Sequence, residues 1–189
     1  ADMRARGFLL GATAGRTTIN GEGLQHEDGH SHLLASAIPN CRAYDPTFGF
    51  EVAVILQHGM ERMLTQQQDE YYYLTLMNEN YAHPDMPEGA VDGIIKGMYL
   101  LTDAGKPKKG ELRVQLMGSG VILREAIAAA ELLDKDFGVT ADIWSCPSFT
   151  ELARDGEDAI RHNRLNPEAK DQRKPYVTTL LEGRQGPAI

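Results

Sequence analysis

The densest group of ionisable side chains in this sequence lies between residues 21 and 32, which read GEGLQHEDGHSH. Half of the chain's six histidines fall in this segment, which we call the histidine loop. Its ionisable residues are Glu22, His26, Glu27, Asp28, His30 and His32. Histidine titrates near pH ~6.5, and a neighbouring carboxylate can orient it or shift its pKa. The loop therefore has the residue types that proton transfer requires.

Two other interpretations of the histidine loop stay open. His26, His30 and His32 together with Asp28 offer three or four metal ligands. Closed structural zinc sites usually include cysteine, which the loop lacks, so its composition favours proton transfer over metal binding. The remaining interpretation is a solvated polar loop without a chemical role.

The segments around the histidine loop predict its place in the fold. Residues 6–13 (RGFLLGAT) are short and apolar and end near glycines, a pattern typical of a buried parallel strand. Residues 14–37 then show no clear periodicity, and such connections longer than about 12–15 residues are usually functional. Open α/β folds bind ligands beyond the carboxyl ends of their parallel strands. We therefore expect the histidine loop to lie at that edge of a sheet.

Strands and helices alternate along the rest of the chain. We predict strands at residues 38–44, 70–77, 111–117, 141–146 and 175–181, and helices at residues 46–64, 91–101, 121–137 and from 149 to 155. Asp45 is expected to cap the first of these helices, with Pro46 in its first turn. In the helix at 121–137, apolar residues from Ile122 to Phe137 predict one buried face, and Trp144 is expected in the core. The alternation predicts an α/β fold, with a right-handed strand–helix–strand unit at residues 111–146.

Neither glycine-rich segment matches a phosphate-binding motif. Residues 11–17 (GATAGRT) are one residue short of a P-loop and carry arginine in place of its lysine. In the turn Gly118-Ser119-Gly120, Leu123 stands where a dinucleotide-binding motif has its third glycine. We therefore predict a tight turn there, with an anion at the N-terminus of the following helix as the alternative.

The composition excludes several classes of protein. With 42% hydrophobic and 24% charged residues the chain is an ordinary globular protein rather than a disordered one. Its net charge of −8 disfavours binding to nucleic acid or to anionic membranes, and no apolar run approaches the ~18 residues of a membrane span. Cys41 and Cys146 lie far apart, which predicts reduced thiols and a cytoplasmic location.

Four segments of the sequence resemble one enzyme family. They read RGFLLGATAGRTTINGEGLQHEDGHSH, IPNCRAYDPTFGFEVAVIL, YYYLTLMNENY and SFTELARDG. They are similar to the bacterial, homodimeric type of pyruvate dehydrogenase, the decarboxylating component of the pyruvate dehydrogenase complex, and the resemblance extends over nearly the whole chain. It implies a thiamine-diphosphate-dependent reaction in which pyruvate loses carbon dioxide and the remaining acetyl group passes to a lipoyl group on the acyltransferase component.

The resemblance also implies roles for residues of the histidine loop. His26 matches a histidine near the reacting carbon of the cofactor, where it would hydrogen-bond the substrate and move a proton, with Glu22 as its acidic companion. Asp28 and His32 are similar to the aspartate and histidine of the transketolase Glu-Asp-Gly…His loop, which approach substrate oxygens. Glu51 lies in a helical pattern and is not expected to be the glutamate that activates the cofactor.

By the same resemblance, residues 1–81 are the latter part of a pyrimidine-type thiamine-diphosphate-binding domain with a parallel sheet. Residues 82–110 are a linker with a short helix, and residues 111–189 are the first part of a transketolase-like C-terminal α/β domain. The Gly-Asp-Gly…Asn motif that binds magnesium and diphosphate in the family does not occur in these 189 residues. We therefore expect thiamine diphosphate and magnesium to bind only in a longer parent protein, and the chain alone to be inactive.

The partners that the resemblance implies are pyruvate, a second copy of the same subunit and the lipoyl acyltransferase component. Two functions of other classes remain as alternatives. The first is a small metalloenzyme that uses the histidine loop. The second is a non-catalytic interaction fragment whose exposed apolar surface binds other parts of a larger assembly.

Overall fold

The computed structural model describes residues 2–11, 29–77 and 79–189, and this part of the chain forms a mixed α/β structure with two sheets. Its elements are β1 (Phe8–Gly11), α1 (Ser31–Ser36), β2 (Cys41–Tyr44), α2 (Gly49–Met60), β3 (Tyr71–Thr75), α3 (Ala90–Lys96), β4 (Tyr99–Thr102), β5 (Leu112–Gly118), α4 (Gly120–Phe137), β6 (Val139–Ser145), α5 (Phe149–Leu165) and α6 (Tyr176–Leu181). The last turn of α2 continues as a π-helical segment, Glu61–Thr65. The predicted α/β class is confirmed.

The first sheet is parallel and, within the described residues, has the strand order β1-β3-β2. Phe8 of β1 lies opposite Tyr72 of β3, and Tyr44 of β2 lies opposite Leu74. The side chains of Tyr44, Tyr72 and Leu74 are buried beneath α2, where Ile55 is fully buried as well. All three strands run in one direction, so their carboxyl ends meet at one edge of the sheet.

The second sheet contains the predicted strand–helix–strand unit. Strands β5 and β6 are parallel and α4 connects them, as expected. Trp144 on β6 is 1% exposed, so its predicted place in the core is confirmed. On the outer side of β5, residues 187–189 run alongside the strand, with hydrogen bonds from Gln115 N to Pro187 O and from Ile189 N to Gln115 O.

The helix predicted at residues 91–101 is wrong in its second half. It ends at Lys96, because Gly97 adopts a φ of +97° and a side chain there would meet the carbonyl oxygen of Ser148 at 2.3 Å. The following residues, Tyr99–Thr102, form β4, which pairs antiparallel with β6. Part of the segment expected to be a linker, residues 82–110, thus belongs to the second sheet.

The strand predicted at residues 175–181 is also wrong, because Tyr176–Leu181 forms the helix α6. Tyr176, Val177, Leu180 and Leu181 pack against a cluster that includes Met98 and Trp144. Their spacing of one, three and one residues places them on one helical face. The β-branched residues of PYVTTLL favoured a strand, and this tertiary contact outweighs that propensity.

Two details of the predicted helices need correction. The helix expected to begin at Pro46 begins at Gly49, with Phe48 at its N-cap, so Asp45 does not cap it. In α4, Ile122 and Phe137 are 43% and 72% exposed, whereas Val121 and Leu123 are buried. The first turn of α4 is enclosed by the sheet and by Phe48, which buries residues on both sides of it.

Both cysteines are free thiols inside the protein, as the sequence predicted. Cys41 opens β2 and Cys146 follows β6, and burial raises the pKa of each, that of Cys146 to about 12. Thiols of this kind are unreactive at neutral pH. In the described part of the chain, none of the helices combines the length and the apolar character that a membrane crossing needs.

Candidate active site

Of the residues predicted to do chemistry, His32 lies within the described part of the chain, whereas Glu22, His26 and Asp28 lie outside it. His32 is half-buried at the start of α1, and its ring lies 5.4 Å from that of Tyr73. Helix α1 is held against the first sheet because Ala35 is buried beside Cys41 and Ala43. His30 is exposed just before the helix.

His32 reaches the carboxyl edge of the first sheet through a hydrogen bond. Its Nε2 lies 2.7 Å from Oγ1 of Thr75, the last residue of β3. The Thr75 hydroxyl donates to Oδ1 of Asp45 at 2.6 Å, and Asp45 directly follows β2. The histidine is thus joined to the ends of two neighbouring parallel strands, the location expected for the histidine loop.

Asp45 connects this edge to the second sheet. Ser119 donates its hydroxyl proton to Asp45 Oδ2 at 3.0 Å, and Gly120 N donates to the carbonyl oxygen of Asp45 at 3.0 Å. Gly120 has a φ of +48°, and a Cβ there would lie 2.6 Å from the carboxylate, so only glycine allows this approach. The predicted tight turn is confirmed, and the carboxylate of Asp45 lies close to the N-terminus of α4. We call His32, Thr75, Asp45 and Ser119 the polar relay.

The polar relay borders a cavity of about 390 Å³ between the two sheets. The cavity is lined by His32, Asp45, Met117, Gly118, Ser119, Ile122, Pro147, Ser148, Phe149 and Thr150. Ile122 and Phe149 contribute exposed apolar surface to it, while the relay contributes hydrogen-bonding groups. A cavity of this size with a few polar groups on one wall is typical of a small-molecule site.

Glu51 is fully buried between the two sheets and acts as a hydrogen-bond acceptor. Its carboxylate accepts from the backbone N–H groups of Thr47 and Phe48 at 2.6 and 2.9 Å. It also accepts from the hydroxyls of Tyr99 at 2.7 Å and Ser145 at 2.5 Å, both in the second sheet. Burial and the charge of Glu51 raise the pKa of Tyr99. These contacts give Glu51 a role in joining the sheets.

A second polar cluster lies at the opposite edge of the first sheet and was not predicted. We call its members, Arg42, Arg62, Glu70, Glu151 and Arg154, the ionic cluster. Arg42 binds Glu70 at 3.3 Å and Glu151 of α5 at 2.7 Å. It thus bridges the first sheet and the second unit, our name for the second sheet together with α4, α5 and α6. Arg62 binds both oxygens of Glu70 at 2.9 Å, and Arg154 binds Glu151 at 2.8 Å. The cluster forms one wall of a cavity of about 480 Å³.

The charges of the ionic cluster act most strongly on Glu70. Burial alone would raise the pKa of this carboxyl group, but hydrogen bonds from Arg62 and Tyr72 lower it. The positive charge of Arg42 lowers it further, so that the pKa of Glu70 is about 2. Arg42 and its partner Glu151 are 109 positions apart, so no local pattern could have indicated the cluster.

The described residues contain no evident metal site. Within residues 2–11, 29–77 and 79–189, His, Cys, Asp and Glu side chains nowhere form a group of three or more suited to hold a metal ion. The predicted ligands His30 and His32 do not form such a group there. The metal interpretation of the histidine loop therefore depends on residues outside the described part.

Family models match the two halves of the chain in succession. Residues 1–84 match the pyruvate dehydrogenase E1 component middle domain, and residues 97–189 match the transketolase-like TK C-terminal domain. Among solved structures, transketolase from Campylobacter jejuni has a TM-score of 0.54 at 20% identity over 78% of this chain and 21% of that one. A transketolase mutant from Pichia stipitis has a TM-score of 0.50 at 22% identity over 71% of this chain and 18% of that one. At these identities the likeness concerns the fold alone.

Curated relatives align with the whole chain at much higher identity. The pyruvate dehydrogenase E1 component of Pseudomonas aeruginosa is 61% identical over 188 residues, that of Cupriavidus necator 59% over 189, and that of Escherichia coli 54% over 189. Each alignment covers 100% of this chain and 21% of the relative, so the chain spans about one fifth of the length of these proteins. This identity and the two successive domain matches show that the chain corresponds to a segment of bacterial pyruvate dehydrogenase E1 components.

Proposed function

We propose that this chain forms part of an E1 component that decarboxylates pyruvate and transfers the acetyl group to the lipoyl group of the acyltransferase component. The observation that carries the proposal is the hydrogen bond of His32 to Thr75 beside the cavity at the carboxyl edge of the first sheet. This edge is where α/β folds bind their ligands. The identity of 54–61% to E1 components supports the choice of reaction.

The histidine loop supplies the acid–base groups in this proposal. His26 hydrogen-bonds the reacting oxygen of the substrate and moves a proton to or from it, and Glu22 orients the imidazole. Asp28 and His32 bind further substrate oxygens. A carboxylate beside a histidine keeps the ring in one orientation and one tautomer, which makes its proton available at a fixed position.

Thiamine diphosphate, when bound, supplies the carbon nucleophile that makes the loss of carbon dioxide possible. The described residues do not fit the task of holding its magnesium and diphosphate. Relay hydroxyls and the Asp45 carboxylate are already hydrogen-bonded to one another, and the described part contains no group of metal ligands. We therefore assign the binding of magnesium and diphosphate to polypeptide other than these residues, and the handling of substrate protons to the histidine loop.

The proposal includes two macromolecular partners, a second copy of the subunit and the acyltransferase component, in the cytoplasm. Exposed leucines on β1 and α1 support a protein–protein contact near these two elements. Leu9 and Leu10 are 58% and 54% exposed, and Leu33 and Leu34 are 69% and 70% exposed. Exposed apolar side chains are common at protein–protein contacts.

A chimera tests the proposed function. The segment of the Pseudomonas aeruginosa E1 component that aligns with this chain is replaced by these 189 residues, which preserves 61% of the segment. We expect the chimera to turn over pyruvate, and His26→Ala to lower turnover about 10²–10⁴-fold, the usual contribution of one acid–base group. Turnover is measured as acetyl transfer in the reconstituted complex.

His162→Ala is the matched control, because His162 is exposed on α5, remote in sequence from the histidine loop, and should leave turnover unchanged. A chimera that folds and binds thiamine diphosphate but does not consume pyruvate would contradict the proposed reaction. Near-normal turnover of the His26→Ala chimera would instead remove His26 from the mechanism.

A further inference from the structure

The hydrogen-bond directions along the polar relay determine which nitrogen of His32 carries a proton. A carboxylate only accepts hydrogen bonds, so the single hydroxyl proton of Thr75 is directed to Asp45 Oδ1 at 2.6 Å. The Thr75 oxygen then faces His32 Nε2 at 2.7 Å with a lone pair. Only an Nε2 that carries a proton can complete this hydrogen bond. The relay therefore selects the Nε2-protonated tautomer of the neutral ring.

Asp45 itself is held mainly by the second unit. Its carboxylate accepts from Ser119, its carbonyl oxygen accepts from Gly120 N, and its N–H donates to Pro147 O at 2.7 Å. These three partners lie at the ends of β5 and β6, whereas Thr75 belongs to the first sheet. Thr75 is 2% exposed, so water has little access to replace its hydroxyl.

We propose that Asp45 is a positioning residue for His32, that it acts through Thr75, and that Ser119 makes this positioning depend on the docking of the second sheet. This proposal adds to the proposed function. It rests on that function for one point, the catalytic role of His32. The tautomer and the orientation of the ring are set by the relay in either case. A histidine held in this way keeps its ring in one orientation and one protonation state.

The tautomer of His32 distinguishes the proposed role of Thr75 from a purely structural one, because a structural threonine would not affect the tautomer. In the chain labelled with ¹⁵N-histidine, long-range ¹H–¹⁵N correlations above the histidine titration range report which ring nitrogen is protonated, and His32→Gln assigns the signals. We expect the Nε2-protonated form in the wild type and a mixture of both tautomers in Thr75→Val. Thr75→Ser, which retains the hydroxyl, should restore the wild-type spectrum, and Thr178→Val on the exposed face of α6 is the matched control.

Ser119→Ala tests the link to the second sheet and remains informative if Thr75→Val does not fold. It removes one of the two hydroxyl donors to the Asp45 carboxylate, and we expect a partial loss of the Nε2-protonated form. An unchanged His32 tautomer in Ser119→Ala and in any folded Thr75→Val would overturn the proposal. So would a wild-type spectrum that shows the Nδ1-protonated form.

Turnover of the chimera separates this proposal from the proposed function. Thr75→Val should lower kcat about 10–100-fold with a smaller change in KM, since a misplaced group affects the transition state more than binding. A changed tautomer with unchanged kcat would support the relay and contradict the catalytic role of His32. A changed kcat with an unchanged tautomer would contradict the relay and leave the proposed function intact.

Discussion

The two ends of β2 and β3 are joined to the second unit by different chemistry. At the amino ends, the ionic cluster connects long charged side chains, with Glu70 only 4% exposed. At the carboxyl ends, the polar relay connects short side chains through hydroxyl groups next to a cavity. The strands are four and five residues long, so the clusters are separated by little more than one strand.

This difference indicates a division of tasks along the interface. Charged hydrogen bonds stabilise more strongly than neutral ones, but their protons are fixed over the physiological pH range. Hydroxyl groups contribute less, but each can donate one hydrogen bond and accept another, which allows Thr75 to join Asp45 to His32. We therefore expect substitutions in the ionic cluster to change mainly stability, and substitutions in the relay to change mainly activity.

The largest effect on stability should come from Glu70→Gln. The substitution leaves Arg62 and Arg42 facing a neutral amide in place of a buried carboxylate that binds both. Hydrogen bonds to charged groups contribute about 1.5–3 kcal/mol each, and both arginines are partly exposed, so we expect a loss of about 2–3 kcal/mol. Urea unfolding at pH 7 measures it, with Glu131→Gln on the exposed side of α4 as control. A loss below ~0.5 kcal/mol would contradict the assigned role of the cluster.

The effect of Glu70→Gln should also depend on pH. The pKa of Glu70 is about 2 in the folded protein, against an ordinary value of 4.5. A carboxyl group with a lowered pKa stabilises fully above its unfolded-state value, and this contribution is lost as pH falls through the folded-state value. The difference between wild type and Glu70→Gln should therefore be constant above about pH 5 and shrink between about pH 4.5 and 2. Unfolding curves over this range would contradict the assignment if the difference grew instead.

The fold was predictable wherever local patterns and tertiary contacts agree. The strand–helix–strand unit from β5 to β6 follows from its hydrophobic periodicity and from the glycines that bound α4. The errors in the two segments that were assigned the wrong type of element have a common cause, since both segments are short and their state is decided by a distant partner. Residues 99–102 form a strand because they pair with the edge of β6. Residues 176–181 form a helix because one face of that helix packs against Trp144 and Met98.

The candidate site was predictable only in its sequence-local part. The histidine loop and its place after a parallel strand could be inferred, and His32 lies at the expected edge. Thr75 and Ser119 carried no signal, because isolated hydroxyl residues are common and their partners are 30 and 74 positions away. Asp45 did carry a signal, but its position before Pro46 was typical of a helix cap, and the helix begins four residues later.

The smallest effect on stability is expected for Ser119→Ala, which tests whether the carboxyl edge contributes to holding the sheets together. It removes a single neutral donor to Asp45 while the bond from Gly120 N remains, so the loss should be about 0.5–1.5 kcal/mol. Ser36→Ala, an exposed serine that bonds only within α1, is the matched control and should stay within ~0.5 kcal/mol. If Ser119→Ala proved as destabilising as Glu70→Gln, the carboxyl edge would share the task of holding the sheets together. A small loss of stability combined with an altered His32 tautomer would instead mean that the Ser119 hydroxyl serves the orientation of the histidine. Its hydrogen bond to Asp45 would then add little to the docking of the two sheets.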